Sequence, residues 1–294
     1  MKRTKQSYNP TCLLTGDWHL REDTPICRTD NYWEAQWRKV KFISELQQKY
    51  QCPVYHSGDL FDYWKPSPHL ISACLRSLPE QFITVYGNHD LPQNSYESRF
   101  RSGVFTLAMA GVIELLITGH WNCDLPLGSF EIEPDRIFGM QHIMTWKSEK
   151  PWPGCIDPNA EELLDAYPEI DLMLVGHNHK TFIEQVEDRL LVNPGSLMRM
   201  AADQEDHEPC VFLWYAKSNT VEKVTLPYEE GVISREHIEK KEQKDERIQA
   251  FVQKLNTDWT TEVSFESNLE QFFKTNRISK TVENIIWKSI DKEI

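Results

Sequence analysis

Ser57-Gly58-Asp59-Leu60-Phe61-Asp62 is the stretch from which the rest of the chain can be read. Its two carboxylates stand three apart, directly after Pro53-Val54-Tyr55-His56. That run is brief, β-prone and bounded by glycine, so it reads as a buried strand. Gly58 lets the backbone turn sharply, which leaves Asp59 at the carboxyl end of a strand, where α/β sheets place their ligand sites. The arrangement recurs. The run 11–16 precedes Asp17-Trp18-His19, 82–86 precedes Gly87-Asn88-His89-Asp90, 136–141 precedes His142, and 171–175 precedes Gly176-His177-Asn178-His179.

Between these blocks the apolar spacing changes to that of helices. Trp33, Trp37, Val40, Ile43 and Leu46 predict a helix over 31–50, and Pro68 opens another that reaches Leu78. The order β-α-β-α-β implies parallel pairing through right-handed crossovers. Further on, the pattern predicts a helix at 103–110, strands at 112–118, 128–133 and 136–141, and a short helix at 159–166. After the strand at 171–175 come short strands at 181–186, 190–193, 210–216 and 220–225, with Asn193-Pro194-Gly195-Ser196 as a turn. Beyond residue 228 the composition shifts. A charge-rich helix is expected at 234–256, striped by Ile238, Ile248, Val252 and Leu255, followed by a helical pair over 266–292 built on Phe272, Phe273, Ile285, Ile286 and Ile290. The expected domains are therefore 1–228, carrying the chemistry, and a helical extension, 229–294.

At 294 residues and 40% hydrophobic, the chain can bury a sizeable core. No apolar run is long enough to span a membrane. The basic N-terminus lacks an apolar signal core, and the seven cysteines are scattered without a CxxC pair. Reduced thiols in the cytoplasm are the expectation. A net charge of −13 counts against a broad duplex-binding face, although clustered site carboxylates account for part of it and divalent cations would offset them.

Neutral imidazoles mixed with carboxylates and without thiolates suit Mn, Fe or Zn rather than Mg or Ca, and argue against a structural zinc site. Asp17, His19, Asp59, Asn88, His142, His177 and His179 are too many ligands for one ion and suit two, with Asp59 able to bridge. Two ions about 3.5–4 Å apart can hold a bridging hydroxide and clamp a phosphoryl oxygen, which is the chemistry of phosphoester hydrolysis. His120 also follows an apolar run and rivals His142. His56 reads as a core residue. Asp62 either supports a ligand histidine or caps the next helix. Trp18, Tyr63 and Trp64 could stack on a nucleobase or pack the loops, and Lys65, Arg99 and Lys180 could meet phosphates or face solvent.

In residues and spacing the five blocks resemble the calcineurin-like metallophosphoesterase superfamily over roughly residues 11–200. Within it the chain looks most like the SbcD-type DNA repair nucleases, because Gly-Asp-Leu-Phe-Asp is followed by Lys65-Pro66-Ser67-Pro68, and because of the block 171–180 and Gly195-Ser196-Leu197. The resemblance implies an α/β fold, a four-layer αββα sandwich. It implies one metal on Asp17, His19, Asp59 and His179 and a second on Asp59, Asn88, His142 and His177, most readily Mn. His89 would be the general acid or transition-state stabiliser, with Asp90 orienting it. DNA is the implied substrate, and an SMC-like ATPase the partner for the C-terminal helices; a homodimer is compatible with it. Rival expectations are a phosphodiesterase or phosphatase acting on a small nucleotide or phosphoprotein, and a scaffold that keeps the fold without turnover. Phosphatases of the superfamily carry Asp-Arg-Gly after the second block and Glu after Asn-His, whereas this chain has Phe61-Asp62-Tyr63 and Asp90.

Overall fold

The computed structural model describes residues 9–121, 128–133, 135–258 and 265–290, with side chains omitted at residues 128, 133, 250–258 and 265. Two compact units divide after Ser234 rather than after residue 228. Residues 229–234 belong to the first unit because helix α1 (Tyr32–Tyr50) and the loop before it hold them. Arg38 pairs with Glu229 at 2.7 Å, Thr29 donates its N–H to the Val232 carbonyl, and Ser234 donates to that of Cys27.

The first unit contains two sheets. One is built from β1 (Cys12–Thr15), β2 (Val54–His56), β3 (Phe82–Thr84), β4 (Ile113–Leu115), β10 (Cys210–Tyr215) and β11 (Thr220–Thr225), in the order β11-β10-β1-β2-β3-β4. Strands β1 to β4 are parallel, as the β-α-β-α-β order requires, and β10 joins antiparallel. The other sheet has β5 (Gly128–Glu133), β6 (Arg136–His142), β7 (Leu172–Gly176), β8 (Phe182–Val186) and β9 (Arg189–Asn193), in the order β5-β6-β7-β9-β8, with β6, β7 and β9 parallel.

Residue alternation along the strands sets the layers. Cys12 and Leu14 of β1 face one way and meet Phe138, Met140, Leu172, Leu174 and Val192 of the second sheet. Leu13 faces the other way and packs with Val54, Phe82 and Leu213 against α1 (Tyr32–Tyr50), α2 (Pro68–Ser77) and α3 (Gly103–Met109) through Val40, Ile43, Leu70 and Val104. Met173, Val175 and Leu191 pack outward against Leu163 and Leu164 of α4 (Ala160–Ala166). The result is helix, sheet, sheet, helix, the expected αββα sandwich. Side-chain caps start the helices: Asn31, Ser67 and Ser102 each accept an N–H in the first turn, and Asn159 forms a capping box with Glu162.

The second unit, residues 235–294, holds α5 (Glu236–Asp258), α6 (Phe265–Thr275) and α7 (Lys280–Ile290). Leu269, Phe272 and Phe273 form its core with Ile278, Ile286, Trp287 and Ile290, whereas Ile285, expected inside, is 59% exposed. The side chains of Val252 and Leu255, expected in the stripe of α5, lie outside the described set. No described helix is long and apolar enough to cross a membrane. The described cysteines are all free and buried.

Candidate metal centre

Both sheets aim the carboxyl ends of their parallel strands at one place. There the loop after β1 carries Asp17 and His19, the loop after β2 carries Asp59 and Asp62, and the loop after β3 carries Asn88, His89 and Asp90. His142 ends β6, and His177 and His179 follow β7. The loops are latched by their backbones. The Asp17 N–H donates to the Gly58 carbonyl at 3.0 Å, the His19 N–H to that of Asp59 at 2.9 Å, and the Leu197 N–H to that of Asp17 at 3.1 Å. Gly58 holds a φ of +99° at this crossing, and a Cβ at Gly87 would sit 2.0 Å from Asp59 Oδ1, so only glycine admits the Asp59 carboxylate there.

All seven expected ligands converge. Asp59 Oδ2 lies 3.5 Å from His19 Nε2 and 3.4 Å from His142 Nε2, between two groups of donors. On one side Asp17, His19 and His179 bring ligand atoms within 4.8 Å of one another. On the other, Asp59, His142 and His177 do the same, and Asn88 Oδ1 lies 3.1 Å from His142 Nε2 and 2.8 Å from His177 Nδ1. His120 is not among them. It is buried and accepts the Tyr86 N–H on Nδ1 at 2.7 Å.

The donor set fits divalent cations by a test internal to the structure. His19 Nε2 and His179 Nε2 face each other at 3.1 Å, an approach of two ring nitrogens that needs a proton or cation between them. His142 donates Nδ1–H to the Ser57 carbonyl at 2.8 Å, which turns Nε2 inward toward Asp59. Burial lowers His177 to about 4 and His179 to about 3, so both imidazoles are neutral at neutral pH. Burial lifts the Asp17 carboxyl to about 6, helped by Asp59 and opposed by His142. Burial also opposes ionisation of Asp59, but His142, His19 and His89 hold it far below the usual carboxylate range. Burial depresses His142, yet Asp59 overrides it and raises the ring to about 9. Buried carboxylates beside imidazole and amide ligand atoms are a donor set that could hold divalent cations.

Four of these residues hold backbone conformations that side chains disfavour: φ is +49° at Asp17, +45° at His19, +56° at Asp59 and +89° at His177. Such strain persists where the surroundings over-determine it, as at functional sites.

One supporting residue departs from expectation. Asp90 does not touch His89. It is fully buried and its carboxylate accepts the N–H groups of Leu60, Phe61 and Gly87 at 3.2, 3.1 and 3.0 Å, tying the second block to the third. His89 is exposed and its orientation comes instead from the Asp62 carbonyl, which accepts Nδ1–H at 2.8 Å, and from Asp59 Oδ1, which accepts the His89 backbone N–H at 2.8 Å. Trp18 is fully buried and donates to Thr15 Oγ1 at 2.8 Å while packing on His56 and Phe82, so it cannot meet a base. His56 is a core residue, as expected, with Nδ1 2.8 Å from Thr84 Oγ1.

Asp62 supports a ligand histidine rather than capping a helix; Ser67 caps α2. Its Oδ1 faces His19 Nδ1 at 3.6 Å, and Arg21 Nη1 meets Oδ2 at 3.0 Å. Three contributors were not anticipated. Arg21 anchors Asp62. Trp121 stacks on His177 with ring centroids 4.5 Å apart. Asn193 donates to the carbonyls of Asn178 at 2.6 Å and Lys180 at 3.0 Å, pinning the histidine loop. Arg21, two residues beyond His19, was visible as a base beside a ligand block. Trp121 has no motif around it.

Comparison with known proteins adds a family. The model of the calcineurin-like phosphoesterase superfamily domain matches residues 12–216. Among curated proteins none matches the chain in sequence. Solved structures similar in fold include a novel archaeal phosphodiesterase (16% identity, 73% of this chain and 99% of that one, TM-score 0.44). Vacuolar protein sorting 29 from Cryptosporidium parvum is another (17% identity, 74% and 97%, TM-score 0.38).

Proposed function

The chain belongs to the calcineurin-like phosphoesterase superfamily, and on that basis we propose that it is a two-metal phosphodiesterase acting on DNA, a nuclease of the SbcD type. The observation that carries the hydrolase reading is the placing of Asp59 between two converging groups of imidazole, carboxylate and amide ligand atoms. Asp17, His19, Asp59 and His179 would hold one ion, and Asp59, Asn88, His142 and His177 the other, with Mn the best match and Fe or Zn also suited. When bound, such a pair supplies an activated water and a Lewis-acid clamp on the phosphoryl oxygens.

The chain's own groups do the rest. With Nδ1–H donated to the Asp62 carbonyl, His89 is left with Nε2 to exchange a proton. An exposed imidazole beside the cage is placed to protonate the leaving oxygen. Asp62, held by Arg21, steadies His19 with its carboxylate and His89 with its carbonyl, so one loop aligns a ligand and the acid together.

DNA as substrate is supported by the sequence run from Gly58 to Pro68 and by the block 171–180. The C-terminal helices would dock an SMC-like ATPase. A second reading, hydrolysis of a small nucleotide, is favoured by a cavity of about 600 Å³ lined by His177, His179, Lys180, Asp203 and Asp206, within the size range of single-ligand pockets. Purified protein loaded with Mn is assayed on linear and single-stranded DNA, on nucleoside cyclic phosphates and on a chromogenic phosphodiester. DNA cleavage supports the nuclease. Turnover of the small esters alone overturns it in favour of the second reading. Stoichiometric metal without turnover leaves a scaffold.

A further inference from the structure

Beside His89 the rim of the site is aromatic and basic, on a chain whose net charge is −13. The residue after the carbonyl that holds His89 is Tyr63, 60% exposed. Its ring lies 5.4 Å from that of Trp64, and the Arg101 guanidinium sits over Trp64 at 5.6 Å. The Trp64 carbonyl accepts the Gly103 N–H at 2.8 Å, which ties this loop to the start of α3. Nearby, Arg99 lies between the rings of Tyr96 and Phe100, 4.2 Å from each, and Phe100 is 58% exposed. Lys65 is exposed as well. The only acid in the run 95–101, Glu97, accepts the Ser95 hydroxyl at 2.5 Å. The cavity beside His177 and His179 carries both signs instead, Lys180 and Lys223 with Asp203, Asp206 and Glu208, and Lys223 pairs with Glu208 at 3.0 Å.

Large apolar rings held open to water next to a catalytic group have a function to serve. A phosphate chain is attracted by the arginine side. A nucleobase can stack on an aromatic face whatever its sequence, and arginine adds a phosphate contact. In a duplex those base faces are already covered, so a platform of this kind selects an unpaired base. We propose that Tyr63, Trp64 and Arg101 form a stacking subsite for the unpaired nucleobase on the leaving-group side of the scissile phosphate, making single-stranded nucleic acid, or a frayed end, the preferred substrate. This rests on the nuclease reading. His89 touches both: its Nδ1 meets the Asp62 carbonyl next to Tyr63, and its ring lies 4.7 Å from that of His19.

The test uses the full chain and two variants, Tyr63→Ala and Arg101→Gln. Binding of fluorescein-labelled dT12, rU12 and a blunt 12-bp duplex is followed by anisotropy without added metal. Cleavage of dT12 and of a chromogenic phosphodiester is followed with Mn. Each variant should weaken dT12 and rU12 binding about tenfold, in line with the loss of one base stack or phosphate contact. The ratio of kcat/KM for dT12 to that for the chromogenic ester should fall by about as much. Unchanged anisotropy and an unchanged ratio in both variants, with wild type cleaving DNA, overturn the subsite and leave the nuclease standing. Wild type preferring the duplex also overturns it. Wild type that hydrolyses the chromogenic ester but neither binds nor cleaves an oligonucleotide overturns the nuclease reading and the subsite together.

Discussion

Lys39, on α1, offers a measurable consequence of burying an ammonium. It is 2% exposed, and its Nζ lies 3.4 Å from the Met198 thioether, a weak acceptor. The charged groups around it are Arg28, Arg199, Arg38 and Asp30. Asp30 is already engaged by Arg28, at 2.6 Å, and Arg199 donates to the carbonyls of Glu205 and Glu229. Burial, reinforced by Arg28 and Arg199, lowers the Lys39 ammonium from 10.5 to about 7. The unfolded chain keeps that proton up to about pH 10.5, while the folded chain gives it up near 7. Between those values the unfolded state binds more protons, so stability rises with pH. Below about 7 the full cost of burying the charge is present. At about 1.4 kcal/mol per unit, the cost has an upper bound of about 5 kcal/mol, and relaxation of the surroundings brings the expected value to about 2–3 kcal/mol. Lys39→Met keeps the stem, meets Met198 and leaves Asp30 with Arg28. Urea unfolding of both proteins from pH 6 to 10 should show the variant more stable by that amount at pH 6 and the gap closing toward pH 10. A variant less stable at pH 6, or a gap that does not change with pH, refutes the reasoning.

Three further outcomes are expected at the site. His89→Ala should retain both ions and lose about 10²–10⁴ in turnover, the usual range for a general acid; elemental analysis beside the rate checks this, and parallel loss of metal would sink the assignment. Asp59→Asn should lose at least one ion per chain by the same analysis, because the bridging carboxylate between His19 and His142 becomes an amide; full occupancy would show that Asp59 does not bridge. Asp62→Asn should weaken metal affinity about 10- to 100-fold while the fold persists, the cost typical of removing a partner behind a ligand histidine; titration calorimetry reads it, and unchanged affinity would leave Asp62 without that role.

The strands could be read from the chain because each is a short apolar run closed by a glycine or a polar ligand block, as at 53–58 and 171–176. The ligands could be read for the same reason, since side chains at the carboxyl ends of parallel strands have one direction in which to gather. What could not be read was the direction of particular side chains. Spacing left Trp18 open between stacking on a base and packing, and its burial in the core decides for packing. Asp90 adjoins His89 in sequence, but spacing alone cannot say which way a carboxylate points, and the free amides of Leu60, Phe61 and Gly87 claim it. The division after Ser234 was hidden because the change in composition precedes the last contacts with the first unit.

The left-handed torsions of Asp17, His19, Asp59 and His177 carry a practical lesson for anyone engineering this protein. Each costs on the order of 1 kcal/mol that a glycine or asparagine at the same position would recover in part. Heat-tolerance selection without a catalytic readout would therefore favour exchanges at these four sites, and its winners would be robust but inert. Selection has to keep turnover in view from the first round.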